Sequence, residues 1–469
     1  MQAQRLQSPQ DKRPAKPANK QGGSPGLALS LHLRRGVTRS ALLLLFFCTV
    51  ASPAPPIVAG PTTYLQSLAT AGPSSVIKLK PGLYYGGLRI AGLSGTADEP
   101  IVIEASDPRH PPRFVARPGR NTISISDAGY ITIRNLVLDS RNVPVDAVKA
   151  EGAARFAHHI TLEGLRILRH GANQGVVGIS TKCPAWGWII RRNVIERAGT
   201  GMYLGDSDGT APFFDGLIEH NLIFDTIGYN LQIKHQRARA VNPDDLSTPL
   251  TTIIRHNVFS KYGNGATGHQ ARPRPNLLVG HFPLHGAGAN DRYAIYGNFF
   301  YANPTEALFQ AEGNVALYVN LFVNPVGDAI HIQPHNDVPK NIWLFHNVVV
   351  ASGTGMELRR ATNDYLRILT ANAVFAARPG VPGPETGNQV GELAQATAYL
   401  WHPLAPPGRL NLKPKSSKVW DRKGDLLLSE NFPHATEDFD GLVYLAQNMG
   451  AYTASATPPR WWPDLSLKP

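Results

Sequence analysis

Asn193-Val194-Ile195, Asn221-Leu222-Ile223 and Asn257-Val258-Phe259 belong to a pattern, one Asn or Gly followed by apolar residues, that recurs nine times along the chain. On the N-terminal side lie Asn135-Leu136-Val137 and the variant Gly164-Leu165-Arg166-Ile167. On the C-terminal side lie Asn298-Phe299-Phe300, Asn320-Leu321-Phe322, Asn347-Val348-Val349 and Asn372-Ala373-Val374. Successive members are 22 to 41 residues apart. Such a period marks stacked repeats, each too small to bury its own apolar face.

Short alternating runs precede the Asn, as in Ile131-Thr132-Ile133, Thr252-Ile253-Ile254 and Ile342-Trp343-Leu344. A small or Gly-rich corner and a second alternating run follow. These are half-buried strands with no helical period between them. A chain that returns to the same corner in every turn stacks Asn on Asn, so that the amides share hydrogen bonds. The predicted fold is all-β, a single-stranded right-handed parallel β-helix with a short N-terminal cap and an irregular C-terminal closing segment. Leucine-rich repeats are excluded by the missing Leu-x-x-Leu-x-Leu frame, and a propeller by the missing Trp-Asp signature.

Gly 44 and Pro 39 in 469 residues suit a fold that turns every few residues. The repeat runs without a linker, which predicts one solenoid over 62–375, a closing segment over 376–469, and a processed segment over 1–54. In that last stretch Arg34, Arg35 and Arg39 precede the apolar run Ala41 to Val50 and the small residues Ala51, Ser52 and Ala54. The order is that of a secretory signal peptide, with a retained anchor as the competing reading. The lead before Arg34 is unusually long, and a start near Val37 restores an ordinary length. The expected location is secreted or periplasmic, with no stable membrane insertion after cleavage.

Residues 1–51 hold eight of the Lys and Arg and one Asp, so the formal charge of +12 falls to +5 without them. That excess is too small and dispersed for a nucleic-acid partner and suits an acidic polysaccharide. Cys48 lies in the leader and leaves Cys183 alone, so no disulfide framework is expected. The chain is expected to be a monomer.

Past the leader, Ser75-Val76-Ile77-Lys78-Leu79-Lys80-Pro81-Gly82-Leu83-Tyr84 is followed by the run GLSGTADEPIVIEAS from Gly92 to Ser106. This resembles the opening rungs of secreted polysaccharide lyase-like (pectin lyase-like) β-helix proteins. Asp438-Phe439-Asp440-Gly441 with Gly450-Ala451-Tyr452 is similar to the way many of them close. The resemblance covers roughly Leu65 to Tyr452 and implies the fold more than the chemistry. It also implies calcium as a neutralising cofactor, although the sequence has no dense carboxylate cluster and Asp206-Ser207-Asp208-Gly209 reads as a turn.

Aligning the second strands of successive rungs yields two outward columns. One reads Lys149, Gly178, Tyr203, Gln232, Gln310, His331, Glu357; the other reads Glu151, Ser180, Gly205, Lys234, Glu312, Gln333, Arg359. With rungs ~4.8 Å apart, such a row matches an extended glycan. The competing reading is an ordinary solvated face. Long insertions on either side of Asn257 bring His235, Gln236, Arg237, Arg239, His269, Arg272, Arg274, His281 and His285 over the middle of the solenoid.

A lyase acting on a uronate chain needs a base, a cation beside the carboxylate and a proton donor. Lys234 as base, Arg272 or Arg359 as stabiliser and His331 as donor satisfy that list. Gln232, His235, His281, Gln310, Glu312, Gln333, His335 and Arg359 are the expected substrate-binding residues, and no metal ligands are assigned. Two alternatives stand beside the lyase: a non-catalytic glycan-binding or cell-surface β-helix, and a glycoside hydrolase using Glu312 and Glu357. The Gly-His-Gly and Arg-x-Lys motifs of polygalacturonases are absent, as is the Trp-x-Asp-His motif of pectate lyases. Leu168-Arg169-His170-Gly171 echoes a phrase of the alginate and chondroitin lyases but falls at a corner.

Overall fold

The computed structural model describes residues 55–239, 249–264, 271–381, 387–416, 432–444, 449–454 and 457–469. Residues 1–54, expected to be a processed leader, and His269 lie outside them. No helix among the described residues is long and apolar enough to cross a membrane.

Three parallel sheets wind around one apolar core. Sheet A runs from Ile57–Ala59 to Arg367–Thr370, sheet B from Leu83–Tyr84 to Gln389–Gly391, and sheet C from Leu88–Ala91 to Met356–Leu358. Each turn visits A, B and C in that order, and parallel strands joined this way cross over right-handedly. The fold is a right-handed parallel β-helix. A short helix, Tyr64–Ala69, leads in, and its Tyr64 packs edge-on against Tyr84 and Phe114 while its hydroxyl donates to the Gly87 carbonyl at 2.7 Å.

The Asn ladder runs through eight residues: Asn193, Asn221, Asn257, Asn298, Asn320, Asn347, Asn372 and Asn388. Each Nδ2 donates to the next Oδ1 at 2.9–3.1 Å, and each ladder residue is almost fully buried. A buried amide left without these partners costs about 1–3 kcal/mol, so the ladder closes only in one register. Asn135 and Gly164 sit one residue earlier, at the corner position with positive φ, and Leu136 and Leu165 fill the ladder site. Both kinds of residue suit that corner, because Gly and Asn tolerate the left-handed region best.

The closing segment covers sheet B. Leu400, Leu410, Leu412 and Phe439 cluster with Phe299, Leu321, Val348 and Phe375 from its strands, while Phe432 packs on Tyr318, Trp343 and Phe345 of sheet A. Among the described residues, the apolar side chains of that segment gather with those of sheets A and B.

Candidate functional site

Sheet C sets its side chains in strict register. The first outward column reads Arg89, Ser124, Lys149, Ser180, Tyr203, Gln232, Leu278, Gln310, His331 and Glu357. Two residues further along each strand, the second column reads Glu151, Lys182, Gly205, Lys234, Gly280, Glu312, Gln333 and Arg359. The strand Leu277–Val279 supplies the rung between Gln232 and Gln310.

One rung differs from the sequence reading. Val148 faces Ile179 instead of Val177, so Lys149 is beside Ser180, and Lys182 replaces Ser180 in the second column. The run Val176-Val177-Gly178-Ile179-Ser180-Thr181 is apolar or small throughout. A shift of two preserves its inward and outward alternation, so periodicity alone could not choose.

The expected site residues fall into three groups. Lys234 stands between Gly205 and Gly280, with its Nζ 5.9 Å from the centre of the Tyr203 ring. A Cβ on Gly280 would come 2.3 Å from the His235 amide nitrogen, so only Gly fits there. Gln232 is nearly buried on the neighbouring column. Burial lowers the proton affinity of His235, with Lys234 adding to the effect. Arg272 is exposed, and its backbone is fastened to Gln174.

Three rungs further on, ~14 Å by the rung spacing, His331 lies in a different setting. Its Nε2 is 3.2 Å from Asp328 Oδ2 and 3.9 Å from Glu357 Oε2, out of line for a hydrogen bond to either. Burial lowers its proton affinity and Arg359 lowers it further. Arg359 donates to Glu357 at 2.6 Å and to Gln333 at 3.0 Å, and Arg378 Nη2 lies 3.5 Å from Asp328. Lys234 and His331 therefore cannot both reach one glycosidic bond.

Glu312, Gln310, His281 and His335 act largely within the protein. Glu312 Oε2 accepts the backbone N–H groups of His335, Asn336 and Asp337 at 2.8–3.1 Å. His335 Nε2 is 3.0 Å from Gln310 Oε1, and His281 Nε2 is 3.2 Å from the Val338 carbonyl. This is how a carboxylate ties down a turn. Of the other insertion residues, Gln236 donates to the Phe213 carbonyl, Arg239 forms a buried pair with Asp291 at 2.6 Å, and His285 is exposed.

A groove of ≈ 690 Å³ opens instead over the N-terminal half of sheet C. Arg120, Asp146 and Lys149 line one part, Lys182 and Tyr203 another, and Gln174, Tyr229 and Arg274 a third. The Lys182 Nζ lies 3.5 Å from the centre of the Tyr203 ring and donates to the Gly205 carbonyl at 3.3 Å. Burial pulls Lys182 down to about 8, with Asp146 opposing the shift and Lys149 adding to it. Burial also raises Asp146, although its Oδ1 accepts the Val177 N–H at 2.8 Å. The Arg274 guanidinium lies 5.3 Å from the centre of the Tyr229 ring.

No family model and no curated protein matches the chain. Solved structures share its winding. An alginate lyase from Paenibacillus sp. str. FPU-7 is 15% identical with a TM-score of 0.37, over 72% of this chain and 97% of that one. The GH136 lacto-N-biosidase from Eubacterium ramulus is 10% identical with a TM-score of 0.42, over 69% of this chain and 63% of that one. The PL6 family alginate lyase AlyGC is 12% identical with a TM-score of 0.35, over 84% of this chain and 58% of that one. What they share with this chain is a parallel β-helix-like fold. At such values the likeness carries nothing about chemistry.

Among the described residues no group of three or more His, Cys, Asp or Glu has metal-binding geometry. Asp208 is held by the N–H and hydroxyl of Thr210, whose hydroxyl also reaches Asp206. Glu357 is taken by Arg359.

Proposed function

We propose that the chain is an exported polysaccharide lyase that cleaves an acidic, uronate-containing polysaccharide by β-elimination in the groove of sheet C. The observation that carries this reading is the placement of Lys182, an amine beside the Tyr203 ring that lines an open, cation-rich groove; burial lowers its proton affinity. A general base works best when its pKa lies near the operating pH.

In this scheme the Lys182 amine removes the proton on the carbon beside the uronate carboxyl. Electron density that gathers on the carboxylate is stabilised by Arg274 and Lys149 across the groove. The carbon–carbon double bond then forms as the bond to the glycosidic oxygen breaks, and the Tyr203 hydroxyl supplies a proton to that oxygen. Lys182 and Lys234 flank the Tyr203 ring on the two neighbouring rungs. Solvent restores both groups. Lys234, proposed from sequence as base, takes the role of charge stabiliser, and Arg272 and the group around His331 and Arg359 become outlying contacts.

The reading is tested by the ultraviolet absorbance of unsaturated uronate products on alginate, pectate and glycosaminoglycan panels. Binding without any rise in absorbance replaces the lyase by a non-catalytic glycan-binding protein. The hydrolase reading lacks support, since Glu312 spends one oxygen on three backbone N–H groups and is 1% exposed.

A further inference from the structure

One wall of the groove is a loop, and loops fix side chains poorly unless something holds them. Residues 271–276 carry no strand, yet their backbone is gripped at two points. The Gln174 side chain accepts the Arg272 N–H at Oε1, 3.2 Å, and donates from Nε2 to the Arg272 carbonyl, 2.8 Å. An amide used this way stands in for a neighbouring strand. The same Nε2 lies 3.4 Å from the Ile227 carbonyl, which ties the loop to the solenoid.

Two residues on, the Arg274 carbonyl accepts from Lys261 Nζ at 2.8 Å and from Asn303 Nδ2 at 2.9 Å. Lys261 is fully buried, and no carboxylate lies within ion-pair distance of it among the described residues. Burial pulls Lys261 down to about 7, so an amine is held here at a desolvation cost. What the lysine adds is a fixed place for the Arg274 backbone, from which the guanidinium reaches over Tyr229 into the groove.

We infer that Gln174 and Lys261 are positioning residues that lock the loop so that Arg274 forms a rigid carboxylate-binding wall. A planar guanidinium held still loses little freedom when a carboxylate docks on it, and the match is specific for planar oxyanions. The groove borders the rungs of Ser124, Lys149, Ser180, Tyr203 and Gln232, so it is about four rung spacings long, ~19 Å. The ligand is an oligouronate of a few residues, lying along the solenoid axis. The identity of that ligand rests on the proposed lyase reading; the latch itself does not.

Two measurements on the full chain separate them. The first is amide hydrogen exchange in residues 271–276 without ligand. Gln174→Met keeps the side-chain length but removes both bonds to Arg272, and exchange there is expected to rise at least about tenfold. Unchanged exchange overturns the latch. The second is calorimetric binding of tetrameric oligogalacturonate and oligomannuronate. Gln174→Met and Lys261→Met are each expected to weaken binding about five- to tenfold, as Arg274→Ala does. Added to Arg274→Ala, Gln174→Met should cost less than twofold more. Full additivity means that Gln174 touches the sugar directly and overturns its positioning role. Should Lys261→Met not fold, the Gln174 cycle and the exchange decide. A wild-type chain that binds neither oligomer overturns the oligouronate reading, while the exchange result still judges the latch.

Discussion

Two cavities in this protein each contain a lysine whose proton affinity burial has lowered, and they differ in everything else. Lys182, at about 8, faces the groove on sheet C and makes one long bond, to Gly205. Lys468, at about 7, lines a cavity of ≈ 370 Å³ between the corner after sheet A and the closing segment. Its Nζ meets His256 Nδ1 at 3.1 Å and the Gly297 and Phe439 carbonyls at 3.0 and 3.2 Å, above the Phe439 ring. His220 Nδ1 meets the Lys468 carbonyl at 3.0 Å. The first lysine has room for a reactant. The second is fully answered by its neighbours and works as an anchor. A shifted pKa marks burial, and only access turns it into chemistry.

Removing each lysine in turn separates the two roles. Lys182→Ala is expected to lower turnover at least ~100-fold with the fold intact, the usual loss for a positioned base. Retained turnover moves the base elsewhere, first to Lys234. By contrast, Lys468→Met should leave turnover within about twofold and lower unfolding stability by about 2 kcal/mol, read by denaturant melts, because two carbonyls and an imidazole lose their donor.

Acid probes the second cavity and its neighbourhood more selectively. His346 is buried against the closing segment, stacked on Tyr444 at 4.4 Å, and burial takes it down to about 4; burial, with Lys468 adding to it, takes His256 to about 2. Both folded values lie below the ordinary value of about 6.5. Their contribution to stability is therefore complete above pH ~6.5 and drains away as pH falls toward 4, where the unfolded chain already binds protons. Thermal melts between pH 7 and 4 should show this drop, and His346→Gln should flatten it. A melt that does not change with pH contradicts the assignment.

The first cavity should respond in the opposite range. Since the neutral amine is the active form, kcat/KM is expected to rise about tenfold per pH unit below ~8 and level off above it. A profile without that inflection removes Lys182 from the chemistry. The smallest effect belongs to the paired half of the same face. Glu357→Gln breaks the partly exposed contact with Arg359 and should cost under about 1 kcal/mol with turnover nearly unchanged.

Much of the solenoid was legible because its signals are local and repeated. Asn221, Asn257, Asn298, Asn320 and Asn347 announce the corner, and the apolar pairs after them announce the strand in sheet B. The apolar residues of sheet C likewise place Gln232, Gln310, His331 and Glu357 on one outward column. Reading failed where the pattern had two equivalent phases. In Val176 to Thr181 the small residues fit either register, and the wrong choice concealed Lys182. Charge pairing was also invisible: no spacing shows that Glu312 is committed to the turn at His335, or that Arg359 is committed to Glu357 and Gln333.

By itself, the sequence determined the kind of structure: period, corner, inward and outward residues, and hence a parallel β-helix with a polar face. These follow from steric and hydrophobic rules acting over a few residues. Only the tertiary structure decided which of those polar groups face open space. That depends on contacts between residues far apart in the chain, such as Gln174 with Arg272 or Lys261 with Arg274, whose partners no local pattern encodes.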